Sequence, residues 1–182
     1  MKKVDHIKQV IMSQQDIARA GSVREAALAE DLMEQALAMA MPEPKKYRIE
    51  VVREYSPVPM IMTDRHQVLQ ILVNVITNAR NAMVESPGRA HRLVLRVGVT
   101  HNGGQSVRLE VADTGCGIAA ENLPRLFTQG FTTRKTGHGL GLHSAAISAK
   151  NLGGSIQVHS VGEGHGATFM LDLPLALAEV AA

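Results

Sequence analysis

Ser106-Val107-Arg108-Leu109-Glu110-Val111-Ala112-Asp113-Thr114-Gly115-Cys116-Gly117-Ile118 marks the point where the chain changes character. Ser106–Asp113 reads as a strand that ends on an acid, and Gly115-x-Gly117 then turns the backbone tightly. Upstream, Arg92–His101 reads as a second strand. Asn102-Gly103-Gly104-Gln105 joins the two as a hairpin. Further upstream, Asp64–Val84 is the strongest helix, with Asp64 a plausible N-cap. Val68, Leu69, Leu72, Val75, Ile76, Ala79 and Met83 form its broad apolar stripe. Before it stand a helix within Ala29–Met41, stopped by Pro42-Glu43-Pro44, and an alternating strand over Tyr47–Tyr55. Ser22-Val23-Arg24-Glu25 reads either as a capping box or as a short extended entry. Residues 4–20 read as a first helix on Val4, Ile7, Val10, Ile11 and Ile17. Downstream, residues 114–139 are rich in Gly and Thr and lack a clean period. Leu140–Leu152 is then a helix, and Ser155–Ser160 and Ala167–Leu173 are strands around a glycine-rich turn. This order lacks the regular alternation of a doubly wound fold. It suits a mixed sheet with helices on one face.

Composition narrows the function. The 182 residues suffice for one domain with a real core, and a 45% apolar, 20% charged chain is globular. No apolar run approaches the ~18 residues of a membrane span. Met1-Lys2-Lys3 leads into charged residues rather than a signal peptide, and Cys116 is the one cysteine, so a cytoplasmic setting is expected. The net charge of +2 and the five aromatics, with no Trp, argue against a nucleic-acid surface. Thirteen of the 16 glycines lie from Gly103 onward, so the second half requires unusual backbone freedom.

Four local patterns carry chemistry. Asn74 and Asn78 stand four apart on one helix face among apolar neighbours. They read either as amides satisfied by nearby backbone or as hard oxygen ligands for Mg²⁺. Asp113 with Gly115 and Gly117 reads either as a plain turn or as a carboxylate that accepts from an exocyclic amine such as adenine's, beside room for a flat ring. Gly137-His138-Gly139-Leu140-Gly141-Leu142 opens a helix, where free amides and glycines can surround phosphate. No strand leads into it, so it is not the dinucleotide fingerprint, and no GxxxxGK[ST] occurs. Leu126-Phe127-Thr128-Gln129-Gly130-Phe131-Thr132-Thr133-Arg134-Lys135 reads either as a loop pinned by two Phe anchors or as a hinged lid with Arg134 or Lys135 facing phosphate.

Taken in order, Asn74-x3-Asn78-Ala79, Asp113-x-Gly115-x-Gly117-Ile118, Phe127-x3-Phe131-Thr132-Thr133-Arg134 and Gly137-x-Gly139-x-Gly141-Leu142 resemble the N, first glycine, F and second glycine boxes of sensor histidine kinases. Gly166-Ala167-Thr168-Phe169 with Leu173-Pro174 resembles the closing strand of the same catalytic domain. The resemblance covers about residues 21–175, and the Gly-His-Gly-x-Gly-Leu-His form is most similar to the nitrogen-regulation-type kinases. It implies an α/β Bergerat fold, a two-layer α+β sandwich with a mixed, mostly antiparallel sheet and helices on one face, that binds ATP with Mg²⁺. By position, Asn78 would ligate Mg²⁺ and Asn74 would line the phosphate side. Asp113 would contact the adenine amino group with Thr168 assisting. Gly139 and Gly141 would approach the phosphates, and Arg134 would stand for the family's usual Lys. The implied site also takes in Gly115, Gly117, Ile118, Phe131, Thr132, Gly137, His138, Leu140 and Leu142.

Two positions depart from the family. The basic residue common three places after the magnesium Asn is here Asn81, with Arg80 one earlier. None of the eight His is followed by an acid, so the phosphoacceptor box is missing. Residues 1–20 resemble the second helix of a dimerisation hairpin, and 21–182 the catalytic domain. The resemblance therefore implies a fragment that transfers the ATP γ-phosphoryl to a His elsewhere in a homodimeric parent, which then serves a response regulator and could be membrane-anchored. A hydrolytic relative of the gyrase type needs a general base where this chain has Asn74, and an amide cannot take the proton. A non-catalytic nucleotide module is the third reading. Cys116 reads as a small turn residue, His138 as a lid or phosphate neighbour, and His143 as packing or capping its helix.

Overall fold

The structure is a computed structural model and describes residues 23–86, 90–100, 105–134 and 139–175. The helix expected over 4–20, most of the hairpin turn at 102–105, and Gly137 and His138 lie outside the described residues.

Five strands form the main sheet: β2 (Ile49–Tyr55), β4 (His91–Thr100), β5 (Ser106–Asp113), β6 (Ser155–His159) and β7 (Thr168–Pro174), in the order β2-β4-β5-β7-β6. β2 runs parallel to β4, and every other pairing is antiparallel. Two short strands, β1 (Glu25–Ala27) and β3 (Ile61–Thr63), form a separate antiparallel ribbon. The ribbon resolves the ambiguity at the start of the chain: the segment after Ser22 is an extended entry, not an early helix turn. The strand at Ile61–Thr63 is absent from the sequence reading, because three residues are too few to show a period.

Among the described residues, three helices lie on one face of this sheet: α1 (Ala29–Ala40), α2 (Arg65–Val84) and α3 (Gly141–Asn151). The strands explain the layering, since residues alternate across the pleat. Leu93, Leu95 and Val97 of β4, Val107, Leu109 and Val111 of β5, and Phe169, Leu171 and Leu173 of β7 are all buried. They meet Leu32, Met33 and Ala36 of α1 and Val68, Ile71, Leu72, Val75, Ile76, Ala79 and Met83 of α2. Truncating one of the larger of these to Ala would cost about 2–5 kcal/mol.

The opposite face is polar and is zipped across the strands. Arg108 of β5 meets Asp172 of β7 through two bonds of 2.7 Å each. Arg96 of β4 reaches Glu54 of β2 at 2.5 Å and also Glu110 of β5. Cross-strand pairs of this kind fix register more than they add stability.

The elements expected within the described residues hold, with displaced ends. Asp64 caps α2, its carboxylate accepting from the Gln67 N–H at 3.1 Å. The expected strand Tyr47–Tyr55 starts two residues late, because Pro44–Tyr47 forms a 3₁₀ turn and Arg48 reverses the chain with φ of 55°. Pro44, with φ preset, opens that turn. The long loop 114–139 contains another 3₁₀ turn, Ala120–Arg125.

Candidate functional site

Between the inner sheet face and helices α2 and α3 lies a cavity of about 240 Å³, continuous with an outer cleft of about 630 Å³. The cavity is lined by Asn78, Ala82 and Glu85 of α2 and its C-terminal end, and by Asp113, Gly117 and Ile118 from the end of β5. The far wall holds Phe131, Thr132 and Arg134, then Gly139, Leu140, Gly141 and Leu142 at the N-terminus of α3. Residues from Asn78 to Leu142, distant in sequence, are thus collected by one feature of the packing: α2 and α3 share the same sheet face.

Asp113 ends β5 on the helix side. It is 8% exposed, and burial pushes its carboxyl up to about 6. Its Oδ1 accepts from the Gly115 N–H at 2.8 Å, and Arg134 also favours the charged form. A carboxylate held this far from water, on a cavity wall, is an acceptor set aside for a ligand donor or a strained structural acid. The turn that follows is crowded. A Cβ on Gly115 would lie 2.6 Å from the Ala82 main chain, and one on Gly166, where φ is 72°, would lie 1.9 Å from the Asp113 carbonyl. These two glycines therefore serve backbone packing first, and Gly115 itself is not among the lining residues. Ser160 fastens the turn: it accepts from the Ile118 N–H at 3.1 Å and donates to the Gly166 carbonyl at 2.6 Å. Sequence reading passed over Ser160, because a serine after a short strand carries no distinguishing pattern.

The two asparagines separate. Asn78 presents its side chain to the cavity and accepts from Arg134 at 3.1 Å. Asn74 donates to the Gly141 carbonyl at 3.3 Å, which ties α2 to the start of α3. It stands behind the cavity wall, against Gly141, which does line the cavity. Thr168 is also elsewhere. It pairs with Ala112 in register and, by strand alternation, points to the helix-free face; Ala167 and Phe169 reach the cavity in its place. Arg80 leaves the site altogether, donating to the Ala40 carbonyl at 2.7 Å and lying over Tyr47.

The loop bearing Phe127, Phe131, Thr132 and Arg134 is tied down along its described part. The Nδ1–H of His143 donates to the Phe127 carbonyl at 3.0 Å. Arg125 lies over the Phe131 ring, and Gly130 N–H donates to Gly139 O at 3.1 Å. The N-terminal turn of α3 adds its positive dipole end to the cavity wall. Glu85, which pairs with Arg134 at 3.4 Å, is a second site residue absent from the sequence reading.

An Mg²⁺ fits this donor set in the way that ion prefers. Asn78 Oδ1 already faces a cation, the Arg134 guanidinium, and no cluster of three or more His, Cys, Asp or Glu among the described residues could hold a metal alone. One protein oxygen beside phosphate and water is the usual Mg²⁺ arrangement.

Known proteins share both sequence and fold. Residues 63–177 match the model of the histidine kinase-, DNA gyrase B-, and HSP90-like ATPase family. Sensor protein FixL of Bradyrhizobium diazoefficiens is 32% identical over 92% of this chain and 33% of its own length. Sensor histidine kinase ZraS of Escherichia coli is 38% identical over 64% of this chain and 23% of its own length. The chain thus spans about a third or less of these relatives. Full-length ShkA in complex with AMPPNP superposes with a TM-score of 0.76 at 27% identity, over 95% of this chain and 36% of that one. The mycobacterial sensor histidine kinase MprB, at 20% identity, shares the fold with a TM-score of 0.71, over 84% of this chain and 97% of that one. The match over more than half its length makes this chain a member of the histidine kinase-, DNA gyrase B- and HSP90-like ATPase family.

Proposed function

We propose that the cavity binds ATP with Mg²⁺ and that the domain delivers the γ-phosphoryl group to a histidine on a phosphoacceptor hairpin. The observation that carries this is Asp113: an acid with its carboxyl pushed to about 6, on the wall of a cavity whose other side is Asn78, Arg134 and the start of α3. At neutral pH it accepts the adenine amino hydrogen. Mg²⁺, held by Asn78, neutralises charge on the phosphates when bound. Arg134 and the amides of Gly139–Leu142 face the phosphate chain. Catalysis of this type is positioning and charge neutralisation, and the attacking imidazole comes from another domain. Transfer is favoured over hydrolysis, because Asn74 offers no base for water and its amide is engaged with Gly141. In this reading residues 1–20 belong to the dimerisation hairpin and 21–182 to the catalytic domain, the parent is a homodimer of the nitrogen-regulation-like type, and a response regulator receives the phosphoryl group.

The test is incubation of the chain with γ-labelled ATP and Mg²⁺, with and without a phosphoacceptor hairpin supplied in trans. Expected are ATP binding by calorimetry, slow phosphate release, and acid-labile, base-stable label on the hairpin only. Label on the chain itself, or rapid phosphate release untouched by Asn74→Ala, would overturn it.

A further inference from the structure

Arg134 makes a contact that the proposed loading of ATP cannot keep. Its Nη1 donates to Asn78 Oδ1 at 3.1 Å and its Nη2 to the Asn78 main-chain carbonyl at 2.9 Å. Its Nε lies 3.4 Å from Glu85 Oε1. One guanidinium thus spans two turns of α2, from Asn78 to the residue just past its C-terminus. The turn that delivers it is closed by a side chain: Arg134 N–H donates to the Thr132 hydroxyl Oγ1 at 3.1 Å. Its side chain is 25% exposed, half the exposure of the Glu85 side chain at 51%, so the head group is set into the wall rather than lying on the surface.

A dication and a guanidinium drawn to the same Asn78 Oδ1 compete for it, because both are positive and repel one another at that range. We propose that Arg134 is an internal competitor of Mg²⁺, a latch that holds the lid loop to Asn78 and Glu85 and is displaced when Mg²⁺ arrives with ATP. The inference rests on the proposed ATP–Mg²⁺ reading of the cavity. Glu85 is the holding partner: it keeps the arginine on α2, beside the oxygen the metal would take. Arg134 also favours the ionised form of Asp113, so the release reaches the adenine end of the cavity.

The experiment measures ATP affinity by calorimetry twice, in EDTA and in saturating Mg²⁺, for the wild type, Glu85→Gln, Arg134→Lys and Arg134→Ala. The quantity read is the ratio of the two dissociation constants, so any weakening of phosphate binding common to both conditions cancels. Arg134→Ala is expected to raise the Mg²⁺ enhancement by about five-fold, and Glu85→Gln by about two- to threefold, as befits a partly exposed pair. Lysine, a point charge that cannot span both oxygens and the carboxylate, is expected to fall between. An enhancement that is unchanged or smaller in Glu85→Gln and Arg134→Ala overturns the latch, and a smaller one makes Glu85 a metal partner. ATP bound under neither condition overturns the nucleotide reading and the latch with it. A second readout needs no ligand: protease nicking within residues 121–134 is expected to quicken in Arg134→Ala and Glu85→Gln, and equal rates would count against the latch.

Discussion

Asp113→Asn separates what the site does from what it costs. The substitution keeps shape and keeps an oxygen for the Gly115 N–H, which Asp113 now satisfies at 2.8 Å. It removes the charge. In the proposed complex, the adenine amine then meets either a weaker acceptor or an amide NH₂ that repels it. A mispaired buried group of this kind costs about 1–3 kcal/mol, a loss of about five- to 150-fold in ATP affinity.

Stability is expected to move the other way. The folded carboxyl titrates near 6 against 3.8 for the free group, because burial disfavours the charge. The folded state therefore holds the proton more tightly, and stability falls as pH rises through the window from about 4 to about 6. The gap between the two values corresponds to about 3 kcal/mol lost by neutral pH. Asparagine has no charge to bury. The variant is thus expected to unfold at higher urea than the wild type at about pH 7.5, by up to about 3 kcal/mol, and to match it near pH 4. In parallel, wild-type ATP affinity should fall as pH drops below about 6, and the affinity of Asp113→Asn should not. A variant less stable than wild type at neutral pH, or a stability difference independent of pH, would refute the claim that this acid is held ionised at the fold's expense. Equal ATP affinity in the two proteins would remove it from adenine recognition.

Three further outcomes follow from the placements. Thr168→Val should leave ATP affinity within about twofold in calorimetry, since Thr168 points to the helix-free face; a tenfold loss would return it to the site. Arg80→Ala should lower stability in urea by about 1–2 kcal/mol through removal of the bond to Ala40 O, with ATP affinity unchanged. Gly166→Ala should cost more than about 3 kcal/mol or prevent folding, because its Cβ would lie 1.9 Å from the Asp113 carbonyl at a φ of 72°; a native-like melting temperature would contradict that crowding.

The helices and long strands were legible because their signals are periodic and local. α2 announces itself by a cap and a seven-residue apolar stripe, and β5 runs over the residues its sequence predicts, Ser106–Asp113. What stayed hidden depends on partners far away in sequence. β1 and β3 are three residues each and exist only because they pair with one another. Asn74 and Asn78 look equivalent on one helix face, yet only tertiary packing decides that one reaches Gly141 and the other the cavity. Thr168 was misplaced by motif position, where strand parity from Phe169, a buried residue, would have put it on the opposite face. Ser160 and Glu85 had no signal at all, because each matters only through the loop it fastens.

Three constraints meet at this cavity. The turn after β5 tolerates no side chain at Gly115, the loop before β7 tolerates none at Gly166, and the acid beside them is kept from water. Across the sheet, apolar residues face the helices, and opposite charges are paired on the outer face. Random drift toward stability would erase the buried acid first, since an amide fits the same place with less penalty. The contacts around Asp113 do not need its charge; the Gly115 N–H would be served by a neutral oxygen. A ligand that donates a hydrogen bond from inside the cavity does need it. The energetic anomaly and the proposed adenine contact therefore explain one another, and neither explains itself alone.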